Sequence, residues 1–196
     1  SYVHQFELLQ GIKPGGIFLL NCTWTPDELE EKLPASLKRV IAENKVQFYI
    51  INGVEIGRKI GLGSRINMIM QAAFFKLANI IPLDLAITKL KESVMTAYGK
   101  KGQKIVDMNN AAIDQGIQAI VKIDVPKEWK IAQDVPVPEA AYSEYYKKFA
   151  DPMNRMLGDT LPVSAFAGRE DGTYPTGTAK GEKRGGALFV PRLDSD

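Results

Sequence analysis

The sequence is poor in the side chains that most often carry chemistry. Among 196 residues there is one cysteine, Cys22, and one histidine, His4. A single thiol closes no intrachain disulfide, and alone it cannot hold an iron–sulfur cluster or a structural zinc, which take sets of ligands. An unpaired cysteine fits a reducing compartment, so a cytoplasmic location is expected. A Ser-His-Asp arrangement would have to recruit His4 from the very start of the chain. Neither sign of charge dominates: 25 basic residues stand against 23 acidic ones, a formal charge of +2. No protein-wide field would gather nucleic acid or anionic lipid, and any anion site has to be local. No apolar stretch approaches the roughly 20 residues of a membrane-spanning helix. The first residues, Ser1-Tyr2-Val3-His4-Gln5, have neither an initiator methionine nor the basic start and apolar run of a signal peptide. Together these absences predict a soluble piece of a longer protein, with no nucleic-acid or membrane partner.

What remains is ordinary globular material. A hydrophobic content of 45% with 24% charged residues is enough for a real core and argues against wholesale disorder. The length fits one domain, or one domain with an attached tail. Residues 17–22 read as a buried strand after the turn signal Pro14-Gly15. Thr25 can cap a helix whose first turn carries Pro26, Asp27 and Glu28, reaching about Asn44 with a split at Pro34. The β-rich run 46–52 lies one helix later, as a parallel crossover requires. A helical pattern from Ile66 to Leu77 leaves only a narrow polar edge, which predicts a helix covered on most sides at the centre of the domain. Helices are also expected over 83–98 and 102–122, the second with Asn109, Asn110, Asp114, Gln115 and Gln118 on its outer face. That face reads as solvated, or alternatively as a contact with a neighbouring domain. The fold class is therefore α/β: a layered sheet with helices, followed by an extended, mostly irregular C-terminal segment with short helices.

After Ile123 the texture changes. Val125-Pro126, Val135-Pro136 and Val137-Pro138 impose extended backbone. A short helix over 139–150 would have an aromatic side made by Tyr142, Tyr145, Tyr146 and Phe149, and Asp151-Pro152 can start another. From 158 onward the apolar residues are too scattered for a core of their own.

No catalytic set emerges. Cys22 follows a strand among apolar neighbours and reads as a small buried side chain. The pairs Asp27/Glu28 and Glu30/Glu31 read as cap charges and solvated helix surface, not as metal ligands. Residues 57–65, GRKIGLGSR, combine three glycines with Arg58, Lys59 and Arg65 ahead of a helix that Ser64 can cap. Arg58, Lys59, Ser64 and Arg65 are the candidate anion-binding residues, although the stretch lacks the P-loop lysine and the dinucleotide glycine spacing. An ordinary turn with a helix cap is the competing account. Residues 168–186, GREDGTYPTGTAKGEKRGG, punctuate turns around Tyr174 and a polar cluster of Glu182, Lys183 and Arg184. On chemistry alone a docking segment and a solvated linker fit equally well.

GDTLPVSAF at 158–166, DGTYPTGT at 171–178 and EKRG at 182–185 resemble the stretch that joins two domains in single-chain pyruvate:ferredoxin or pyruvate:flavodoxin oxidoreductases. Upstream, FLLNCTW at 18–24, EKLP at 31–34, GLGSRINMIMQAAFF at 61–75 and AYGKKG at 97–102 look like the preceding gamma-type domain of the same enzymes. The resemblance divides the chain into a partial gamma-type α/β domain over 1–123 and a linker with an EKR domain over 124–196. It implies an enzyme, a pyruvate synthase, that decarboxylates pyruvate to acetyl-CoA on thiamine diphosphate with Mg and passes electrons through 4Fe-4S clusters to ferredoxin or flavodoxin. The full enzyme is expected to be a homodimer in anaerobic metabolism. The segment itself is expected to bind none of these cofactors and to be inactive alone, serving a structural, interdomain role on the coenzyme A side of the site. Glu182, Lys183 and Arg184 are its docking candidates, and the other domains of the polypeptide are its partners. Gly181 departs from the family, which usually has an aromatic residue before EKR. The alternative is a stand-alone phosphate- or nucleotide-binding module, or a protein-interaction module. Sequencing the flanking DNA separates them: the family reading expects Cys-x-x-Cys-x-x-Cys spacing soon after Asp196, and a stop codon with no cluster domain downstream would remove the single-chain assignment.

Overall fold

The computed structural model describes residues 2–134 and 142–176. Along the chain run helix α1 (Tyr2–Gln5), strand β1 (Ile17–Asn21), a 3-10 turn (Pro26–Glu28) leading into α2 (Leu29–Lys32), α3 (Ala35–Glu43), strand β2 (Gln47–Ile51), α4 (Gly53–Ile60), α5 (Asn67–Ala78), α6 (Leu83–Tyr98), α7 (Gln103–Gln118) and strand β3 (Val121–Lys122). A 3-10 segment (Lys127–Ile131), a π-helical turn (Tyr146–Ala150), α8 (Asp151–Asn154) and 3-10 turns at Gly158–Thr160 and Val163–Phe166 follow. The fold is α/β, with short helices in the C-terminal part. No helix among the described residues is long and apolar enough to cross a membrane.

The chain forms two compact units; its length suggested one domain or one domain with a tail, and the resemblance two parts. One runs from Leu8 to Asp134, and the other joins the residues up to Glu7 to those of the C-terminal part. In the larger unit β1 and β2 pair in parallel, Ile17 opposite Gln47 through Asn21 opposite Ile51. The chain between them is helical, and Pro34 does split it, standing at the N-cap of α3. β2 is central, because β3 pairs antiparallel on its other side, with Tyr49 opposite Lys122.

Two expectations need correcting. The helix over 102–122 stops at Gln118, and its last residues become β3, with the Ile123 amide donating to the Phe48 carbonyl at 2.9 Å. Pairing with β2 wins there because Val121 and Ile123 suit a strand and the edge of β2 offers hydrogen bonds. Packing also continues past Ile123. Trp129 is buried and donates its indole N–H to Glu30, while Arg39 donates to the Ala132 carbonyl and pairs with Asp134 at 2.8 Å. As expected, the described residues from 158 onward bury no side chain of their own; their rings pack on the preceding helical turn. Within the smaller unit Phe149 meets Phe166 edge-on at 5.0 Å, Tyr145 stacks on Phe149 at 5.3 Å, and Tyr174 lies 5.9 Å from Phe149. Arg169 sits over the Tyr145 ring at 4.7 Å, a cation–π contact, and Arg155 pairs with Glu7 at 3.3 Å. The aromatic side expected for 139–150 thus finds its packing partners; residues 139–141 of that helix, and the two Val-Pro pairs of 135–138, lie outside the described residues.

The core of the larger unit is the junction of α5 with α7, flanked by α4 and α6. Ile69, Ala72, Ala73, Val106, Ala112 and Ile113 are all but fully buried there. The helices meet so closely that a Cβ added at Gly116 would lie 2.5 Å from the Ile69 carbonyl oxygen and 2.9 Å from its Cα. Backbone cannot step aside as a flexible side chain can. Gly116→Ala is expected to cost about 1–3 kcal/mol through overpacking despite the better helix propensity of alanine, read as a lowered midpoint in urea unfolding. An unchanged or raised midpoint would show that α7 can shift without loss.

Candidate functional site

In open α/β sheets, ligands bind beyond the carboxyl ends of the parallel strands. Here that region is a cleft of about 330 Å³, with Thr23, Trp24 and Thr25 after β1 on one wall and Asn52, Glu55, Ile56 and Lys59 of the β2–α4 connection on the other. Two asparagines beside it hold the start of α4. Asn21, at the end of β1, accepts the Gly53 amide at 2.9 Å, and Asn52 accepts the Glu55 amide at 3.0 Å. These are amides that a helix N-terminus would otherwise offer to an anion.

The structure moves the candidate anion residues out of a single loop. Gly57, Arg58 and Lys59 are the last turns of α4, and the turn begins only at Gly61, whose φ of 90° ends the helix in the left-handed conformation. Each glycine here has a local reason. Gly57 leaves room for the Gly63 carbonyl, which an added Cβ would approach to 2.7 Å, while Gly61 and Gly63 hold positive φ. Arg58 donates twice to Glu55, at 3.0 and 2.8 Å, and Lys59 reaches the same carboxylate at 3.5 Å. These bonds, those of Arg58 first, hold the Glu55 carboxyl below its ordinary range. Ser64 and Arg65 are exposed on the turn between α4 and α5. Ser64 does not cap α5, which starts at Asn67 after Ile66 with no side-chain cap. Sequence reading missed that α4 exists because glycines at 53 and 57 disguise it. The signal was present: Asn52 followed three residues later by Glu55 is an N-cap pattern.

Thr25 and Glu28 form the capping box their spacing suggests, the Thr25 amide donating to Glu28 at 2.8 Å. Glu30 is more than solvated helix surface. It receives the buried Lys38 ammonium and the Trp129 indole, and these two, Lys38 first, depress its carboxyl pKa. Among the described residues no group of His, Cys, Asp and Glu could hold a metal ion. His4 lies in α1, in the other unit. Asn109, placed by sequence on the outer face of α7, is instead buried and bonds back to the Ile105 carbonyl at 2.8 Å, while Asp114, Gln115 and Gln118 are exposed. Glu182, Lys183, Arg184 and Gly181 lie outside the described residues. What the cleft offers is a polar rim over an apolar floor, suited to contact more than to bond-making.

The pyruvate ferredoxin/flavodoxin oxidoreductase family model matches residues 1–119, well over half of the chain. The chain belongs to this family. A second model, EKR, a domain of unknown function, matches residues 131–187. A pyruvate-flavodoxin oxidoreductase of Enterobacter agglomerans is 57% identical over all 196 residues, which span 17% of that protein. The pyruvate:ferredoxin oxidoreductase of Moorella thermoacetica is 50% identical over 98% of the chain and 16% of its own length. A pyruvate dehydrogenase [NADP(+)] of Cryptosporidium parvum is 39% identical over 99% of the chain and 11% of its own length. The chain therefore spans about a sixth or less of the relatives it matches.

Cys22, half-buried, stands next in the chain to Thr23 of the cleft wall. Burial pushes its thiol up; the contact of Sγ with the Trp24 carbonyl lowers it less, and the Glu28 charge raises it further. A raised thiol is protonated at neutral pH and a poor nucleophile. Cys22 should react with a disulfide reagent at pH 7 at least about tenfold more slowly than free cysteine, and speed up only in alkaline solution. Rapid modification at pH 7, followed by absorbance, would overturn this.

Proposed function

We propose that this chain is one segment of a longer pyruvate:ferredoxin or pyruvate:flavodoxin oxidoreductase, and that its work there is to hold domains in place. The observation that carries the reading is match along the whole chain at up to 57% identity to relatives roughly six times as long. The parent enzyme would oxidise pyruvate to acetyl-CoA, with thiamine diphosphate, Mg and 4Fe-4S clusters supplied by other parts of the polypeptide, and would be a cytoplasmic homodimer. The chemistry of this segment agrees with such a division. With Cys22 as its only cysteine it cannot by itself hold a cluster. Its cleft presents an ion-paired Glu55 and lies beside helix amides already accepted by Asn21 and Asn52. Residues 1–123 then act as the rear of a gamma-type domain on the coenzyme A side, and 124–196 as linker and EKR domain. Glu182, Lys183 and Arg184 dock the connecting stretch.

The test uses the full-length polypeptide, assayed for pyruvate- and coenzyme A-dependent reduction of ferredoxin and flavodoxin. Activity is expected, and Lys183→Ala with Arg184→Ala should lower thermal stability by about 2–8 °C, as losses of 1–2 kcal/mol do, with KM for pyruvate unchanged. Absence of pyruvate-dependent reduction would remove the functional reading. A loss of kcat at unchanged stability would remove the docking role.

A further inference from the structure

Helix α5 has almost no polar side. Between Met68 and Ala78 only Gln71 and Lys76 are polar. A helix that is apolar nearly all round belongs in an interior. One side of it, Ile69, Ala72 and Ala73, is buried. The opposite stripe is not. Met70, Phe74, Leu77 and Ala78, at helical spacing, line an apolar groove of about 320 Å³ with Ile17 and Leu19 of β1. Phe74 is 53% exposed and Ile17 42%.

The strand beside this groove has the same mismatch. β1 is an edge strand, and among the described residues nothing pairs with its outer side. Soluble proteins protect such edges with lysine, proline, bulges or a covering element. Ile17-Phe18-Leu19-Leu20-Asn21 has no charge and no proline. Its two faces are both apolar: Ile17 and Leu19 line the groove, while Phe18, on the other face, stacks on Phe48 at 5.4 Å. A strand apolar on both faces is the pattern of an interior strand in a parallel sheet.

We propose that the outer edge of β1 and the groove beside it form an internal seam of the longer polypeptide: a strand from outside residues 1–196 pairs with β1 and covers the stripe Met70, Phe74, Leu77. This rests on the reading of the chain as a segment. The same polypeptide is the occupant, because relatives that match throughout carry about five-sixths of their length elsewhere, and the groove has no charged lining to select a polar partner. A second copy related by a two-fold axis would have to set β1 against itself in antiparallel register, joining two three-stranded sheets through a single pair of five-residue strands.

Hydrogen exchange of the 196-residue chain and of the full-length protein tests the seam. The outer-edge amides of 17–21 should be protected at least roughly 100-fold more in the longer protein, since they change from solvent-exposed to sheet-bonded. Phe74→Asp should leave the thermal midpoint of the short chain within about 2 °C but lower that of the full-length protein by several degrees, because only there is the ring covered. Equal protection and equal tolerance in both would overturn the proposal. So would a dimer of the short chain, seen by light scattering and abolished by Phe74→Asp, or a reading frame that encodes nothing beyond 1–196. If protection is gained in a protein that does not oxidise pyruvate, the functional reading falls and the seam stands; an active enzyme with β1 still exchanging freely gives the converse.

Discussion

The close approach of two backbones, at Gly116 of α7 and Ile69 of α5, is the constraint from which the larger unit is built. Helices at ordinary spacing are held apart by side chains, but here a missing Cβ lets main chain meet main chain. That contact fixes which turn of α7 faces α5, and so places Ala112 and Ile113 in the core. It also fixes α4, because Met108 of α7 lies within 3.2 Å of where a Cβ on Gly61 would be, at the end of that helix. The start of α4 is in turn tied to the strands by Asn21 and Asn52. The cleft at the strand ends therefore takes its shape from a helix contact on the far side of α4.

A second constraint is electrostatic. Lys38 is 6% exposed, and a buried ammonium without partners would cost several kcal/mol. Its partners are Glu30, through carbonyl and carboxylate, and the face of Trp129 at 5.8 Å. Glu30 itself remains largely exposed, so the pair spans from interior to solvent and keeps part of its hydration. The result is that 127–134, which has the proline-marked texture of a linker, is held on α3. A sequence reader sees Pro126 and Pro136 and ends the domain early, since the lysine and the tryptophan that reverse that conclusion stand 91 positions apart.

Local patterns were the legible part of the fold. The two parallel strands appear within a residue of their expected limits, and Pro34 interrupts the first helical stretch, because apolar runs and proline act on their immediate neighbours. β3 was illegible because a two-residue strand is defined by its partner β2, not by its own sequence. For the candidate site, the sequence supplied residues and withheld their partners. Arg58 and Lys59 looked like free cations in a glycine loop, yet Glu55 stands three and four positions before them, the spacing at which a helix pairs charges. Recognising α4 would have predicted both pairs. Asn109 was misplaced because periodicity assigns polar residues outward, whereas its amide turns back to the Ile105 carbonyl and can be buried at little cost.

The same bookkeeping of partners separates the quiet parts of the surface from the unfinished ones. At the cleft, Glu55 is paired with Arg58 and Lys59, and the Gly53 and Glu55 amides are accepted by Asn21 and Asn52, so these groups have less to offer a small ligand. The stripe on α5 is the reverse. An exposed phenylalanine beside exposed isoleucine on an unprotected strand edge leaves apolar area and hydrogen-bonding groups both unspent. Burying such a surface is favourable by about 25 cal/mol for each Å² removed from water, and pairing the strand adds directional bonds that a loose hydrophobic contact lacks. The seam proposed for β1 and α5 would cover that apolar stripe and pair that edge at once, and the share of the relatives' length that lies outside the matched region is large enough to supply it.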